Sequence, residues 1–343
     1  MKILANQPDF VRATSATWQE CLKAAIRDVD SLLTALSLDM ATAPDELRPS
    51  VVAAKHFETF VPLPFLDRMH PGDWHDPLLL QVLPVEQEVK PGTLGSADPN
   101  QEQEHLIAPG ILKKYQSRAL IIAARSCAVN CRYCFRREFP YDTSPPKLLW
   151  GDSLNAIEDD PTIEEVILSG GDPLMNVDSS LLWLIRELET IPHVRQLRIH
   201  TRMPIVIPQR IDEEFTNMLS STRLAKTIVF HSNHANEWDD SVAHAVARLK
   251  SIPGLNLLNQ SVLLRGINDN VDTLKNLSWR LLEVGVLPYY LHQFDQVKGG
   301  MHFEVPVETG KRLIANLARQ MPGYAVPRYV KEIPGEPGKS RLA

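Results

Sequence analysis

Three cysteines, Cys127, Cys131 and Cys134, stand in the pattern C-x3-C-x2-C. Thiols packed this closely read as metal ligands and not as a disulfide framework. A four-iron cubane normally takes four thiolates. A site with three leaves one iron open to chelate a small molecule through an amine and a carboxylate. Zinc also uses clustered cysteines, and it remains the rival at this point. It would need a fourth ligand, and the remaining cysteine, Cys21, lies far upstream on a predicted helix, where it reads as a small buried hydrophobe. A second candidate is the turn Ser169-Gly170-Gly171-Asp172-Pro173, whose paired glycines allow a ligand to approach the backbone closely.

These residues need a scaffold, and the sequence supplies a repeating one. Short apolar, β-branched runs recur at Ala119–Ala124, Glu165–Leu168, Gln196–Ile199, Lys226–Phe230, Leu255–Val262 and Leu287–Leu291. Helical patterns such as Ser179–Leu188 and Asp239–Leu249 lie between them, which is the rhythm of βα units. The predicted fold is α/β, with a core that is a parallel sheet or a barrel. Polar residues crowd the strand ends: Arg125, Ser169, His200 with Thr201 and Arg202, His231 with Asn233, and Gln293 with Asp295. In α/β barrels that edge carries the active site.

Upstream, Trp18, Leu22, Ile26, Val29, Leu33 and Leu36 recur at helical spacing and predict one amphipathic helix over Ala16–Leu36, with a weaker helical stretch after Pro44. Gly92 to His105 reads as a polar loop and marks a boundary. The expected division is a helical or irregular extension over 1–105, a barrel core over 106–305, and a C-terminal segment over 306–343 with the Pro/Gly-rich stretch Ile333–Gly338. Composition fits a large folded domain, with 343 residues, 44% hydrophobic and 23% charged. A net charge of -6 gives no global positive field for nucleic acid or an anionic membrane. The longest apolar runs fall far short of the roughly 20 residues that span a bilayer. The start, MKILANQPDF, has no apolar signal core, so a cytoplasmic protein is expected.

The cysteine spacing after a strand resembles radical S-adenosylmethionine enzymes, and CRYCFRR is similar to the lysine 2,3-aminomutase group within them. The resemblance runs over most of Leu106 to Lys339 and implies that the α/β core is a partial (β/α)6-type barrel. It implies a [4Fe–4S] cluster on Cys127, Cys131 and Cys134, whose open iron binds S-adenosylmethionine and cleaves it reductively to a 5′-deoxyadenosyl radical. Ser169, Gly170, Gly171 and Asp172, with His231, Asn233 and Gln260, match positions around that ligand. Amino migration needs a π-system to hold the nitrogen, which pyridoxal 5′-phosphate provides on a lysine. Lys339, in Pro334-Gly335-Glu336-Pro337-Gly338-Lys339, matches that catalytic lysine. Lys114, Tyr115 and Arg118 match its phosphate contacts, Lys114 standing where the family has arginine, and Arg132 and Tyr133 are further cofactor contacts by position.

For the substrate, the resemblance assigns the carboxylate of L-lysine to Arg136 and its side-chain ammonium to Asp295 and Glu332. Two carboxylates reject an uncharged or anionic tail, because unpaired buried charge is costly. The stop at Ala343 and the residue Asn270 resemble a short branch that makes (R)-β-lysine for modifying elongation factor P, with a separate lysyl ligase as functional partner and a flavodoxin- or ferredoxin-type electron donor. Two competing expectations are a radical enzyme acting on another amino acid or on a protein-bound lysine, and a metal-stabilised binding module without catalysis.

Overall fold

The computed structural model describes residues 16–92, 95–141 and 150–343, so the stretch MKILANQPDF lies outside it. Among the described residues ten strands form one sheet whose spatial order follows the chain. They are β1 (Leu106–Ala108), β2 (Ile111–Tyr115), β3 (Arg118–Ala124), β4 (Glu165–Gly170), β5 (Gln196–Thr201), β6 (Ala225–His231), β7 (Leu255–Val262), β8 (Leu287–His292), β9 (Arg328–Lys331) and β10 (Ser340–Arg341). From β3 to β9 every neighbouring pair is parallel. Parallel strands need long crossovers, and the helices Trp150–Glu158, Asp178–Thr190, Glu213–Ser220, Asp240–Lys250, Val271–Val284 and Val307–Ala318 lie in them. The result is the expected partial α/β barrel, with an antiparallel hairpin added at each edge.

Strand periodicity decides what faces the interior. In β5, Leu197 and Ile199 are buried in the hydrophobic core, whereas the alternate residues Arg198 and His200 line an internal cavity. One hydrophobic cluster joins Trp18, Leu32, Phe65 and Leu79 of the N-terminal region to Val166, Leu197 and Ile228 of the strands. A second packs Leu274, Leu313, Ile314 and Leu317 of the last two long helices against Leu291 and Tyr329. Among the described residues no helix is long and apolar enough to cross a membrane.

The single helix expected over Ala16–Leu36 is two, Trp18–Lys23 and Val29–Ala35. Each has its own N-cap: Thr17 closes a capping box with Glu20, and Asp28 accepts from the Ser31 N–H. Between them Ile26 forms an antiparallel bridge with Val61. Tertiary pairing there overrides helical periodicity. Lys114 and Tyr115, expected just ahead of the first strand, belong to β2, where Tyr115 pairs with Arg118.

The glycine pair also makes room for the chain itself. Gly170 has φ +107, and a Cβ there would sit 2.7 Å from the Ala124 carbonyl oxygen; at Gly171 it would sit 2.8 Å from the Ser126 backbone nitrogen. The chain those glycines admit is its own, at the entry to the cysteine loop. Gly171 N–H donates to Ala124 O at 2.8 Å and Asp172 N–H to Ser126 O at 2.9 Å. Gly171→Ala is therefore expected to cost about 1–3 kcal/mol through overpacking. Gly151→Ala, where a Cβ meets open space, should stay within about 0.5 kcal/mol of the parent. Denaturant unfolding of both variants measures the contrast.

Candidate active site

The cavity lies at the C-terminal ends of the parallel strands and has a volume of about 300 Å³. Cys127, Cys131 and Cys134 line it together with Ser169, Gly170, Gly171, Asp172, His231 and Gln260. The same cavity is lined by Lys114, Tyr115, Arg118, Asp295, Glu332 and Lys339. All three cysteines are free thiols. Burial, and next the Cys131 thiol, push Cys134 up to about 11, and burial with Cys134 beside it pushes Cys127 well above the usual thiol range. Such thiols ionise when a metal supplies the missing positive charge. Among the described residues no three His, Cys, Asp or Glu side chains converge on a point where one metal ion would be held.

Several strand-end groups hold this loop. Arg202, directly after β5, donates through Nη1 to the Cys131 sulfur at 2.7 Å and to the Tyr133 hydroxyl at 2.6 Å. Its Nη2 reaches Gln81 Oε1 at 2.7 Å and Glu237 Oε2 at 2.9 Å. Tyr133 lies 2.8 Å from His231 Nε2, and burial followed by the Arg202 charge pulls His231 down to about 3, so this imidazole is neutral. Asp172 turns its carboxylate to Thr201 and to the backbone N–H groups of Leu174, Arg202 and Met203. It organises two loops and has little capacity left for a ligand. Asn233 is a correction: it does not line the cavity, and its amide donates to Gln81 and Tyr133 while accepting from the Val262 N–H.

Lys339 is placed by the register of the last hairpin. Because Ser340 pairs with Lys331, the next pair outward is Lys339 with Glu332. Lys339 Nζ donates to Glu332 Oε2 at 2.6 Å, and the Tyr115 hydroxyl donates to Oε1 at 2.7 Å. Burial opposes ionisation of Glu332, but Lys339, Tyr115 and Lys114 outweigh it and hold the carboxyl down to about 2. Asp295 behaves oppositely: burial raises it to about 6 despite Lys339 and a hydrogen bond from Asn100. The two carboxylates expected to share one ammonium thus differ, Glu332 already bearing a cation and Asp295 under-compensated. His200 and His292 are kept neutral, chiefly by burial. His200 Nε2 is buried without a partner on the cavity wall. With the cations Lys114 and Arg118 nearby on that wall, these groups fit a phosphorylated cofactor carried by Lys339.

Arg136 also reaches the wall, where Glu102 grips it. Its Nε and Nη2 donate to the two Glu102 oxygens at 2.6 and 2.8 Å, and Nη1 donates to Ser169 Oγ at 3.1 Å and Gly170 O at 3.2 Å. Of the five N–H donors of a guanidinium, these four bonds leave one on Nη2. A substrate carboxylate meets one free donor on a guanidinium whose charge Glu102 already balances, not the open fork expected from the sequence. Arg132 is a second correction. It is fully buried away from the cavity, bonded to Glu88 at 2.9 and 2.5 Å and to the carbonyls of Phe57 and Ala53. A charge so engaged holds the loop to the N-terminal region and cannot contact a cofactor. Sequence reasoning missed Glu102, Gln81 and Glu237, since an isolated acid or amide in a loop carries no spacing signal. Tyr289, Tyr290 and Arg198, also on the wall, were legible only through strand alternation.

The family described as a 4Fe-4S single cluster domain matches residues 117–200. An L-lysine 2,3-aminomutase from Haemophilus influenzae is 46% identical over 100% of this chain and 100% of its own. One from Escherichia coli K12 is 45% identical over 95% of this chain and 94% of its own, and one from Clostridium subterminale is 37% identical over 80% and 66% respectively. Among solved structures, a radical SAM methyltransferase from Sphaerobacter thermophilus overlaps 64% of this chain and 68% of its own, with 16% identity and a TM-score of 0.47. Matched at this identity along nearly the full length of two such relatives, the chain belongs to the radical S-adenosylmethionine lysine 2,3-aminomutase family, and its cofactors are a [4Fe–4S] cluster, S-adenosylmethionine and pyridoxal 5′-phosphate.

Proposed function

We propose that the chain moves the α-amino group of L-lysine to the adjacent carbon, giving β-lysine. One observation carries the reading: the three cysteines and the Lys339–Glu332 pair, far apart in sequence, line a single cavity. When bound, the cluster with S-adenosylmethionine supplies the radical and pyridoxal phosphate supplies the π-system that carries the nitrogen. Cys127, Cys131 and Cys134 hold the cluster, with Gly170 and Gly171 packed beneath their loop. Lys339 carries the pyridoxal phosphate, Lys114 and Arg118 face its phosphate, and Tyr115 fixes Glu332 as the lysine's counter-charge. His231 and Gln260 face S-adenosylmethionine, and Tyr133, which the resemblance assigns to the pyridoxal phosphate, lies 2.8 Å from His231 Nε2. Arg136 offers its remaining N–H to the substrate carboxylate, and Asp295 offers the under-compensated carboxylate to the side-chain ammonium, with Glu332 as the second carboxylate.

The finer assignment, an R product destined for elongation factor P through a lysyl ligase, rests on the resemblance to the short branch. Asn270 lends it no weight, because it caps helix Val271–Val284 by accepting from the Thr273 N–H. A low-potential flavodoxin- or ferredoxin-type donor is the partner for the cluster, and free lysine is the substrate. Anaerobic incubation of the reduced holoenzyme with free L-lysine and, separately, with a lysine-bearing protein tests this directly. β-Lysine from the free amino acid supports the reading, and product only on the protein refutes it.

Borohydride treatment of the holoenzyme should fix pyridoxal phosphate covalently to Lys339. Lys339→Ala should keep iron and sulfide while losing that adduct, and peptide mapping to a different lysine would refute the assignment. For Asp295 the sign follows from its raised value of about 6. Above that pH the carboxylate is charged and grips an ammonium; below it, protonation removes the grip. Lysine affinity should therefore fall as pH drops through about 6, and Asp295→Asn should lose that dependence together with roughly 2–5 kcal/mol of binding. Calorimetric titration of the unreduced holoenzyme across pH measures both.

A further inference from the structure

We propose that Arg202 raises the reduction potential of the cluster by donating a charged hydrogen bond to the Cys131 sulfur. The inference rests on the reading of Cys131 as an iron ligand.

Arg202 is buried, and its guanidinium plane is fixed on three sides. Glu237 and Gln81 take Nη2, the Tyr133 hydroxyl takes Nη1, and the Arg202 backbone N–H is held by Asp172 Oδ2 at 2.7 Å. Tyr133 is itself pinned by Asn233 Nδ2 at 2.6 Å. Glu237 already neutralises the guanidinium, so the second contact of Nη1, to sulfur at 2.7 Å, is not needed for charge balance. Nε is buried without a partner. This is a rigid cation with one N–H aimed at a thiol of the cysteine loop and another donor still open.

One-electron reduction of the cluster adds one negative charge, delivered by the low-potential donor, with no bond made or broken. That charge spreads onto the thiolate sulfurs, where a fixed cationic donor stabilises the reduced form more than the oxidised one. Arg202 thus acts through Cys131 as a positioning residue for electron entry, and Glu237 moderates it.

The test is an EPR-monitored redox titration of the anaerobically purified full chain carrying its cluster. Arg202→Gln should retain iron and sulfide and shift the cluster toward the oxidised form by about tenfold, a midpoint roughly 59 mV lower for one electron. Arg202→Lys, keeping charge without the fork, should fall between. Glu237→Gln should move the midpoint the other way, by freeing the guanidinium from its counter-charge. Opposite shifts from two substitutions in one network are not what simple loosening produces. An intact cluster with the parent midpoint in Arg202→Gln overturns the proposal. If that variant fails to hold its cluster, Glu237→Gln decides: a raised midpoint supports the proposal, and an unchanged one overturns it. Cys131→Ala separates the underlying reading, because full iron and sulfide in that variant would overturn the ligand assignment itself and this inference with it.

Discussion

Charge taken out of water must be compensated within reach, and the interior of this barrel is built around that constraint. An unpartnered buried ion costs several kcal/mol after relaxation. The cavity and its surroundings nonetheless hold Arg136, Arg202, Lys114, Lys339, Glu102, Glu237, Glu332 and Asp295. Nearly all are matched: Arg136 with Glu102, Arg202 with Glu237, Lys339 with Glu332. In the Arg136–Glu102 pair guanidinium and carboxylate bond in a planar fork, which fixes a group that would otherwise swing on a long side chain. Asp295 stands apart. Its raised value of about 6 marks it as the carboxyl whose compensation is incomplete.

The same requirement explains why the N-terminal region is inseparable from the site. Gln81 accepts from Arg202, Glu88 pairs with both Arg132 and Arg137, and Glu102 holds Arg136. Two acids from residues ahead of the barrel therefore neutralise the arginines of the cysteine loop, and one amide accepts from the arginine beside it. The backbone follows suit: Arg132 N–H bonds to Gln81 O at 2.9 Å and Asn130 N–H to Phe60 O at 3.1 Å. A loop whose three arginines, Arg132, Arg136 and Arg137, all reach acids of the extension is not self-supporting.

How much of this was legible in the sequence depended on whether a signal is periodic. The six parallel strands from β3 to β8 were found because apolar runs repeat, and the observed strands mostly run a residue or two further toward the site, ending in Gly170, Thr201, His231 and His292. Those ends are polar because they face the cavity, so hydrophobic pattern stops short of them. β2 was missed because its sequence ILKKY places two lysines in succession, which breaks alternation. The helix over Ala16–Leu36 was over-extended because period alone cannot see a bridge to Val61. Residue type also underdetermines direction: Arg132 and Arg136 lie one helical turn apart in sequence, yet one faces Glu88 away from the cavity and the other lines it.

Lys339 shows the limit most clearly. Nothing in a lysine near the end of a chain distinguishes a cofactor anchor from a solvated charge, and only the resemblance singled it out. The structure adds an independent reason. The hairpin between β9 and β10 turns through Gly335, whose φ is +83, and its antiparallel register sets Lys339 opposite Glu332. Cross-strand partners come within reach of each other, so an acid and a lysine placed there meet by geometry alone. Glu332 also lies at the end of β9, the last strand of the parallel run, where strand ends face the cavity. That register fixes which acid meets the lysine, both stand at the cavity, and Tyr115 from the opposite edge hairpin reaches the same carboxylate. The two hairpins at the edges of the sheet, absent from the sequence reading, are joined to each other through that single acid.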